Sequence, residues 1–261
     1  IERGLVALVE EVERLGLRSI AIPPLGCGLG GLDWQDVRPR VEQAFARLPS
    51  VRVFLYEPAG APEPTAMVKS KVPPRMTPGR AMLLTLMNRY LGGLMDPFLT
   101  LLEVHKLMYF AQEAGEPLRL RYVKGPFGPY AENLRQVLAH VEGHFVSGYA
   151  DGGDAPDKPL TPMPDAVEAA TAFLATRSEI HERFDRVASL VEGFETPLGM
   201  ELLATVHWVA RHEGAHTPEA AMEAVHGWSA RKRQLSTRQI RIAWDVLMSK
   251  GWISAQGTPQ A

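Results

Sequence analysis

The run from Arg18 to Glu57 constrains the fold more than any other stretch of the chain. Arg18-Ser-Ile-Ala-Ile-Pro23 is a short apolar segment of the kind that forms a strand buried in a parallel sheet. Leu25-Gly-Cys-Gly-Leu-Gly-Gly31 follows at once, and Asp33 stands where it would cap a helix of about Trp34 to Leu48. Val51 to Glu57 reads as a second strand. Strand, glycine loop, helix and strand make a βαβ unit, whose ligands bind beyond the carboxyl end of the first strand, where the next helix N-terminus favours anions. Glycines suit that loop because, without a Cβ, they let successive backbone N–H groups converge on a phosphate. No Gly-Lys-Ser/Thr ends the loop and its spacing departs from G-x-G-x-x-G, so nucleoside triphosphate hydrolysis is disfavoured.

Composition sets the wider frame. With 261 residues, 46% of them hydrophobic, the chain can bury a sizeable core in two domains. A formal charge of −2 lacks the basic excess of a protein that lives on bare nucleic acid. The single cysteine, Cys27, leaves no internal disulfide and no multi-cysteine zinc site, which fits a reducing compartment, so the cytoplasm is expected. No apolar run approaches membrane-spanning length. The first residues read as the inside of an amphipathic helix, with Leu5, Leu8, Val9, Val12 and Leu15 on one face, and the chain looks cut on its N-terminal side.

The segments Ser19-Ile-Ala-Ile-Pro-Pro-Leu-Gly-Cys-Gly-Leu-Gly-Gly-Leu-Asp-Trp34 and Val51-Arg-Val-Phe-Leu-Tyr56 resemble the second half of a macrodomain of the DarG type. That likeness implies an α/β/α sandwich and roles in cradling ADP-ribose for Gly26, Cys27, Gly28, Leu29, Gly30 and Gly31, with Tyr56 lining the pocket. Related glycohydrolase macrodomains carry a catalytic Asp where this chain has Gly30. In DarG-like enzymes a Lys in the first half of the domain is implicated in removing ADP-ribose from thymidine, and no residue here matches it. No catalytic residue is therefore assigned, and no cofactor beyond ADP-ribose as ligand or product. Asp33 is read as a cap, and Cys27 as a packed or ligand-lining thiol without a neighbouring base.

From Glu57 to about Pro78 prolines recur among small and basic residues, giving a linker over 58–78 between a first domain, 1–57, and a second, 79–261. The second is mainly α. Helical periodicity marks Ala81 to Leu91, Phe98 to Ala111, Ala131 to Glu142, Asp165 to Glu192 and Pro197 to Arg211, with a short strand at Leu118 to Val123 and a loop at Asp151 to Pro164. Lys124-Gly-Pro-Phe-Gly-Pro-Tyr130 is a rigid turn, so a wing-like hairpin and a winged-helix-like architecture are expected alternatives to a plain helical bundle.

Lys106-Leu-Met-Tyr-Phe-Ala-Gln112 together with Gly125-Pro-Phe-Gly-Pro-Tyr130 is similar to the SocA-like Panacea antitoxin domain. The likeness implies a surface that holds a toxin inactive. For DarG-type antitoxins the partner would be a DarT-like toxin that ADP-ribosylates single-stranded DNA. Phe127 and Tyr130 are the candidate toxin anchors, since rigid aromatics bury much area for little lost entropy.

His212-Glu213-Gly-Ala-His216 matches H-E-x-x-H, but Gly214 and Thr217-Pro218 signal a helix break between the histidines. His140 and His144 lack a third ligand, and no metal is expected. Ser236 to Lys250, with Arg231, Lys232, Arg233, Arg238 and Arg241 nearby, is a recognition-like helix that would make the chain a DNA-binding regulator. ADP-ribose hydrolase, toxin-neutralising binder and DNA-binding regulator all stand open at this point.

Overall fold

The computed structural model describes residues 1–27, 31–58, 73–93, 98–149 and 153–254. The chain divides into two units, Ile1–Pro62 and Glu63–Ala261.

The first unit is α/β. Helices α1 (Glu2–Arg14) and α2 (Trp34–Phe45) pack on one face of a pair of parallel strands, β1 (Ser19–Ile22) and β2 (Arg52–Leu55), in the register Ser19↔Arg52 to Ile22↔Leu55. Alternation decides which side is covered. Ile20, Ile22, Val53 and Leu55 join Leu5, Val9, Val12, Val37, Val41 and Phe45 in the core, while Phe54 points the other way and is 49% exposed. Asp33 caps α2 by accepting from the Gln35 N–H at 2.9 Å, as expected; the helix stops at Phe45, short of Leu48.

The second unit is mainly α. Its helices are α3 (Pro78–Leu91), α4 (Leu101–Glu113), α5 (Leu134–Val141), α6 (Pro164–Ala175), α7 (Ser178–Val191), α8 (Pro197–His212), α9 (Pro218–Trp228) and α10 (Thr237–Ser249). Among the described residues two small antiparallel sheets join them. One pairs β4 (Tyr122–Gly125) with β5 (Gly128–Ala131); the other has the order β3 (Leu99–Thr100), β7 (Pro159–Pro162), β6 (Val146–Ser147). Helix α4 sits at the centre. Leu101 through Ala111 are all buried on it, and Thr100 with Glu103 forms a capping box whose carboxylate also accepts from Tyr90 Oη at 2.6 Å.

Several expected elements shift, each for a local reason. The strand expected at Leu118–Val123 begins only at Tyr122, because side chains satisfy the preceding backbone: Gln112 brackets Leu120 at 2.8 and 3.0 Å, and Asn133 brackets Arg119 and Arg121 at 3.0 Å. The turn Lys124–Tyr130 is a hairpin with both arms in strand, so the next helix starts at Leu134 instead of Ala131. Pro159–Pro162, expected as loop, is a strand: its two prolines stand at the ends, and Leu160 pairs with Leu99 and Thr161 with Ser147. Asp165–Glu192 is broken at Thr176-Arg177 into α6 and α7. Thr77 caps α3, so 77–78 belong to that helix; residues 59–72 of the expected linker lie outside the described residues. Among the described residues no helix is long and apolar enough to cross a membrane.

Candidate functional site

In the first unit the glycine loop leaves the carboxyl end of β1 and returns at the N-terminus of α2. Gly26 (φ +73°) lies in the left-handed region, and a Cβ there would come within 2.7 Å of Leu32 Cδ1. The loop is closed by the Cys27 N–H on Pro24 O at 3.1 Å and the Leu32 N–H on Gly26 O at 3.0 Å. Cys27 is half-buried, its Sγ 3.6 Å from Leu25 O. Tyr56 follows β2 directly and donates its backbone N–H to Ile22 O at 3.0 Å, which sets it at the same sheet end as the loop, with a side chain 60% exposed. Gly26, Cys27, Gly31 and Tyr56 are thus placed at or beside one sheet end, whereas Gly28, Leu29 and Gly30 lie outside the described residues. Anion recognition here would come from backbone N–H groups and the α2 N-terminus.

In the second unit the hairpin is clamped by α4, α8 and α9. Gly128 (φ +96°) lets β5 approach α8 so closely that a Cβ would meet Thr205 Oγ1 at 2.9 Å. Lys106, buried in α4, donates to Pro129 O at 2.6 Å, and Trp228 Nε1 donates to Gly125 O at 3.0 Å. Beneath the turn Lys232 is wholly buried, with Nζ 2.8 Å from both Glu201 Oε1 and Thr205 Oγ1; Arg231 adds two bonds to Glu201 at 3.3 Å and lies over the Phe127 ring at 4.6 Å. Tyr130 stacks on His105, ring centroids 4.6 Å apart. Phe127 and Tyr130 are consequently half-buried and held in place, and the structure brings them to one cavity of about 250 Å³ between the hairpin turn and α4.

Burial dominates the charges here. It lowers the Lys106 ammonium to about 7, with Lys232 pushing the same way and Glu201 opposing, and it lowers the His105 imidazole to about 3, helped by Lys106. The apolar spacing of α4 sets His105 with Leu101, Leu102, Met108 and Tyr109 on a core-facing side and leaves out Lys106. The available signal was that a helix apolar on every side cannot keep a lysine in water, so that its ammonium must find a buried acceptor.

The structure removes Lys232 from the basic patch expected near the C-terminus. Lys232 is buried in the ion network, Arg231 is engaged with Glu201 and Phe127, and Arg241 pairs with Glu219 and Asp245; Arg233 and Arg238 remain as exposed cations. His212 ends α8 and bonds Glu113, Gly214 is left-handed, and Thr217 caps α9, so the H-E-x-x-H residues straddle a break as expected. His140 and His144 do not share a helix, since α5 ends at Val141.

Residues 1–41 match the macro domain family. A DNA ADP-ribosyl glycohydrolase of Thermus aquaticus is 43% identical over 251 residues, 96% of this chain and 69% of that protein. One of Mycobacterium tuberculosis is 40% identical over 261 residues, 95% of this chain and 73% of that protein. A DNA ADP-ribosyl transferase–DNA ADP-ribosyl glycohydrolase fusion protein of Thermosipho africanus is 43% identical over 58 residues, 22% of this chain and 15% of that protein.

Proposed function

The chain belongs to the DarG-type macrodomain proteins, the DNA ADP-ribosyl glycohydrolases, and from that premise we propose that it is the antitoxin of a two-part cytoplasmic system. In this reading the first unit binds ADP-ribose, carried on thymidine of single-stranded DNA or released from it, through the backbone of the loop from Gly26 to Gly31. Tyr56 lines the pocket at the same sheet end. Diphosphate oxygens accept from loop N–H groups ahead of α2, an interaction that needs no side-chain cation. The second unit neutralises a DarT-like DNA ADP-ribosyltransferase, with Phe127 and Tyr130 in the contact.

The observation that carries this reading is the reach of the likeness: identity of 40–43% extends over 95–96% of the chain, both units included, to proteins named for that hydrolysis. The fusion relative, whose name joins transferase to glycohydrolase, supports pairing the two activities. The DNA-binding regulator is the weaker reading, because Lys232 is buried and Arg231 and Arg241 stand beside carboxylates that offset their charge.

The test has two arms on the full chain. Calorimetric titration with ADP-ribose should show binding that Gly26→Val abolishes, since the new side chain would collide with Leu32. Mixing with a DarT-like transferase should yield a complex by gel filtration and stop modification of a thymidine-containing oligonucleotide. No complex and undiminished modification would remove the antitoxin reading, and ADP-ribose binding would then stand or fall by itself.

A further inference from the structure

We infer that the cavity between the start of α3, the 116–121 segment and α5 binds a small organic phosphate, with Arg80 and Arg119 on the phosphate and Leu118 and Val137 against its carbon body. Its volume of about 720 Å³ falls within the roughly 300–1,000 Å³ of small-molecule sites. The wall is divided in kind: Arg80, Arg119 and His140 carry N–H donors, while Leu118, Leu120 and Val137 are apolar.

The charge on this wall is one-sided. Among the described residues that line the cavity Glu116 has the one carboxylate, and it is 3% exposed and accepts from Arg183 Nη1 at 3.0 Å. Arg119 is exposed, and its guanidinium makes no hydrogen bond or ion pair among the described residues, so its N–H donors are open to a ligand. Arg80 gives one N–H to Arg75 O and keeps the others. Arg119 also has a left-handed backbone, φ +58°, which Asn133 fixes by donating to Arg119 O and accepting from the Arg121 N–H, both at 3.0 Å. Glycine suits that conformation better, so what arginine adds at this position is its guanidinium.

Two guanidiniums on a cavity whose carboxylate is engaged elsewhere select an anion, and their planar forks match the oxygens of carboxylate or phosphate. A carboxylate fills one fork with its two oxygens. A phosphate monoester presents three terminal oxygens and about two negative charges near neutral pH, so it answers both arginines at once. Leu118 and Val137 are half-buried on the core and line the same cavity, which favours a phosphate that carries an apolar group over the bare ion.

Calorimetric titration of the full chain with phenyl phosphate tests the inference, with inorganic phosphate as the probe that lacks the ring. Phenyl phosphate should bind about ten-fold more tightly than inorganic phosphate. Arg119→Gly separates binding from folding. Glycine accepts the left-handed backbone, so the urea midpoint should hold or rise, while affinity for phenyl phosphate falls about ten-fold. Arg121→Gln removes an exposed cation two residues along that does not line the cavity, and should leave the affinity within about two-fold. Gly26→Val, which obstructs the loop of the first unit, should leave it unchanged. The inference is overturned by absent binding, by equal binding of the two probes, or by an Arg119→Gly chain that binds as before. It is overturned equally by an Arg121→Gln loss as large as that of Arg119→Gly, which would mean diffuse charge, or by a loss in Gly26→Val, which would put the phosphate in the first unit.

Discussion

The β1–β2 pair of the first unit covers Ile20, Ile22, Val53 and Leu55 with two helices and leaves Phe54 open on its other side, whereas α4 of the second unit is enclosed on every side. The first unit rests on a small one-sided core of Leu5, Val9, Val12, Ile22, Val37, Val41 and Phe45. The second has a continuous apolar core threaded by buried polar pairs: Glu103 with Tyr90, Glu201 with Lys232, and Tyr109 with His207 at 2.8 Å. A one-sided layer tolerates substitution on its bare face and depends on few side chains, whereas an enclosed one is sensitive wherever a charge loses its partner.

The largest effect that would break this contrast is predicted for Glu201→Ala. It leaves the buried Lys232 ammonium without its carboxylate, and removing one member of a buried ion pair costs roughly 3–5 kcal/mol. Urea unfolding followed by the tryptophans of the second unit should shift by that amount, while Trp34 fluorescence should not follow it. Val41→Ala should do the reverse, costing about 2 kcal/mol from the cavity it leaves and moving only the transition seen by Trp34. Should either variant shift both transitions equally, the two units are not independent.

Acidity sharpens the comparison further. The unfolded chain keeps Lys106 protonated to its ordinary pKa near 10.5, while burial lowers it to about 7 in the fold. Between those values the unfolded state binds more protons, so stability of the second unit rises with pH by up to ~1.4 kcal/mol per unit. Lys106→Met should flatten that rise in denaturation curves taken from pH 7 to 10. His105 and His207 act at the acid side. Both are lowered to about 3, chiefly by burial, so the unfolded state alone takes up protons below about 6.5 and stability falls as pH drops from there toward 3.

Smaller effects belong to the first unit. Asp33→Ala removes the α2 cap and should cost about 1 kcal/mol of the Trp34-reported transition. Phe54→Lys should change stability by less than about 0.5 kcal/mol. A loss of several times that amount would show that the bare face of the pair is covered in the native protein.

How much of this could be read from the sequence follows from how local each determinant is. The βαβ order, the Asp33 cap and the break between His212 and His216 were legible because neighbouring residues set them. The strand at Pro159–Pro162 was not, because its proline-rich residues become a strand only by pairing with Val146–Ser147 across a loop and with Leu99, which lies far away in sequence. The same holds for the site in the second unit. Phe127 and Tyr130 could be singled out from their turn, but their half-burial depends on Arg231 and His105. A run of arginines and lysines looked like a patch because sequence does not reveal that Glu201 reaches Lys232 from α8.

The clamp on the hairpin also governs when the second unit can form. Trp228 reaches back to Gly125 across 103 residues of chain, His207 to Tyr109 across 98, and Trp252 packs its ring against Phe110 and His207 at 5.4 and 5.7 Å. Contacts of such long separation close late, after the loop entropy between them has been overcome. During synthesis the hairpin's surroundings therefore stay open until Lys232 has cleared the ribosome, and the packing of Phe110 and His207 until Trp252 has. Whatever that surface binds, a chain that has not yet reached Lys232 does not present it.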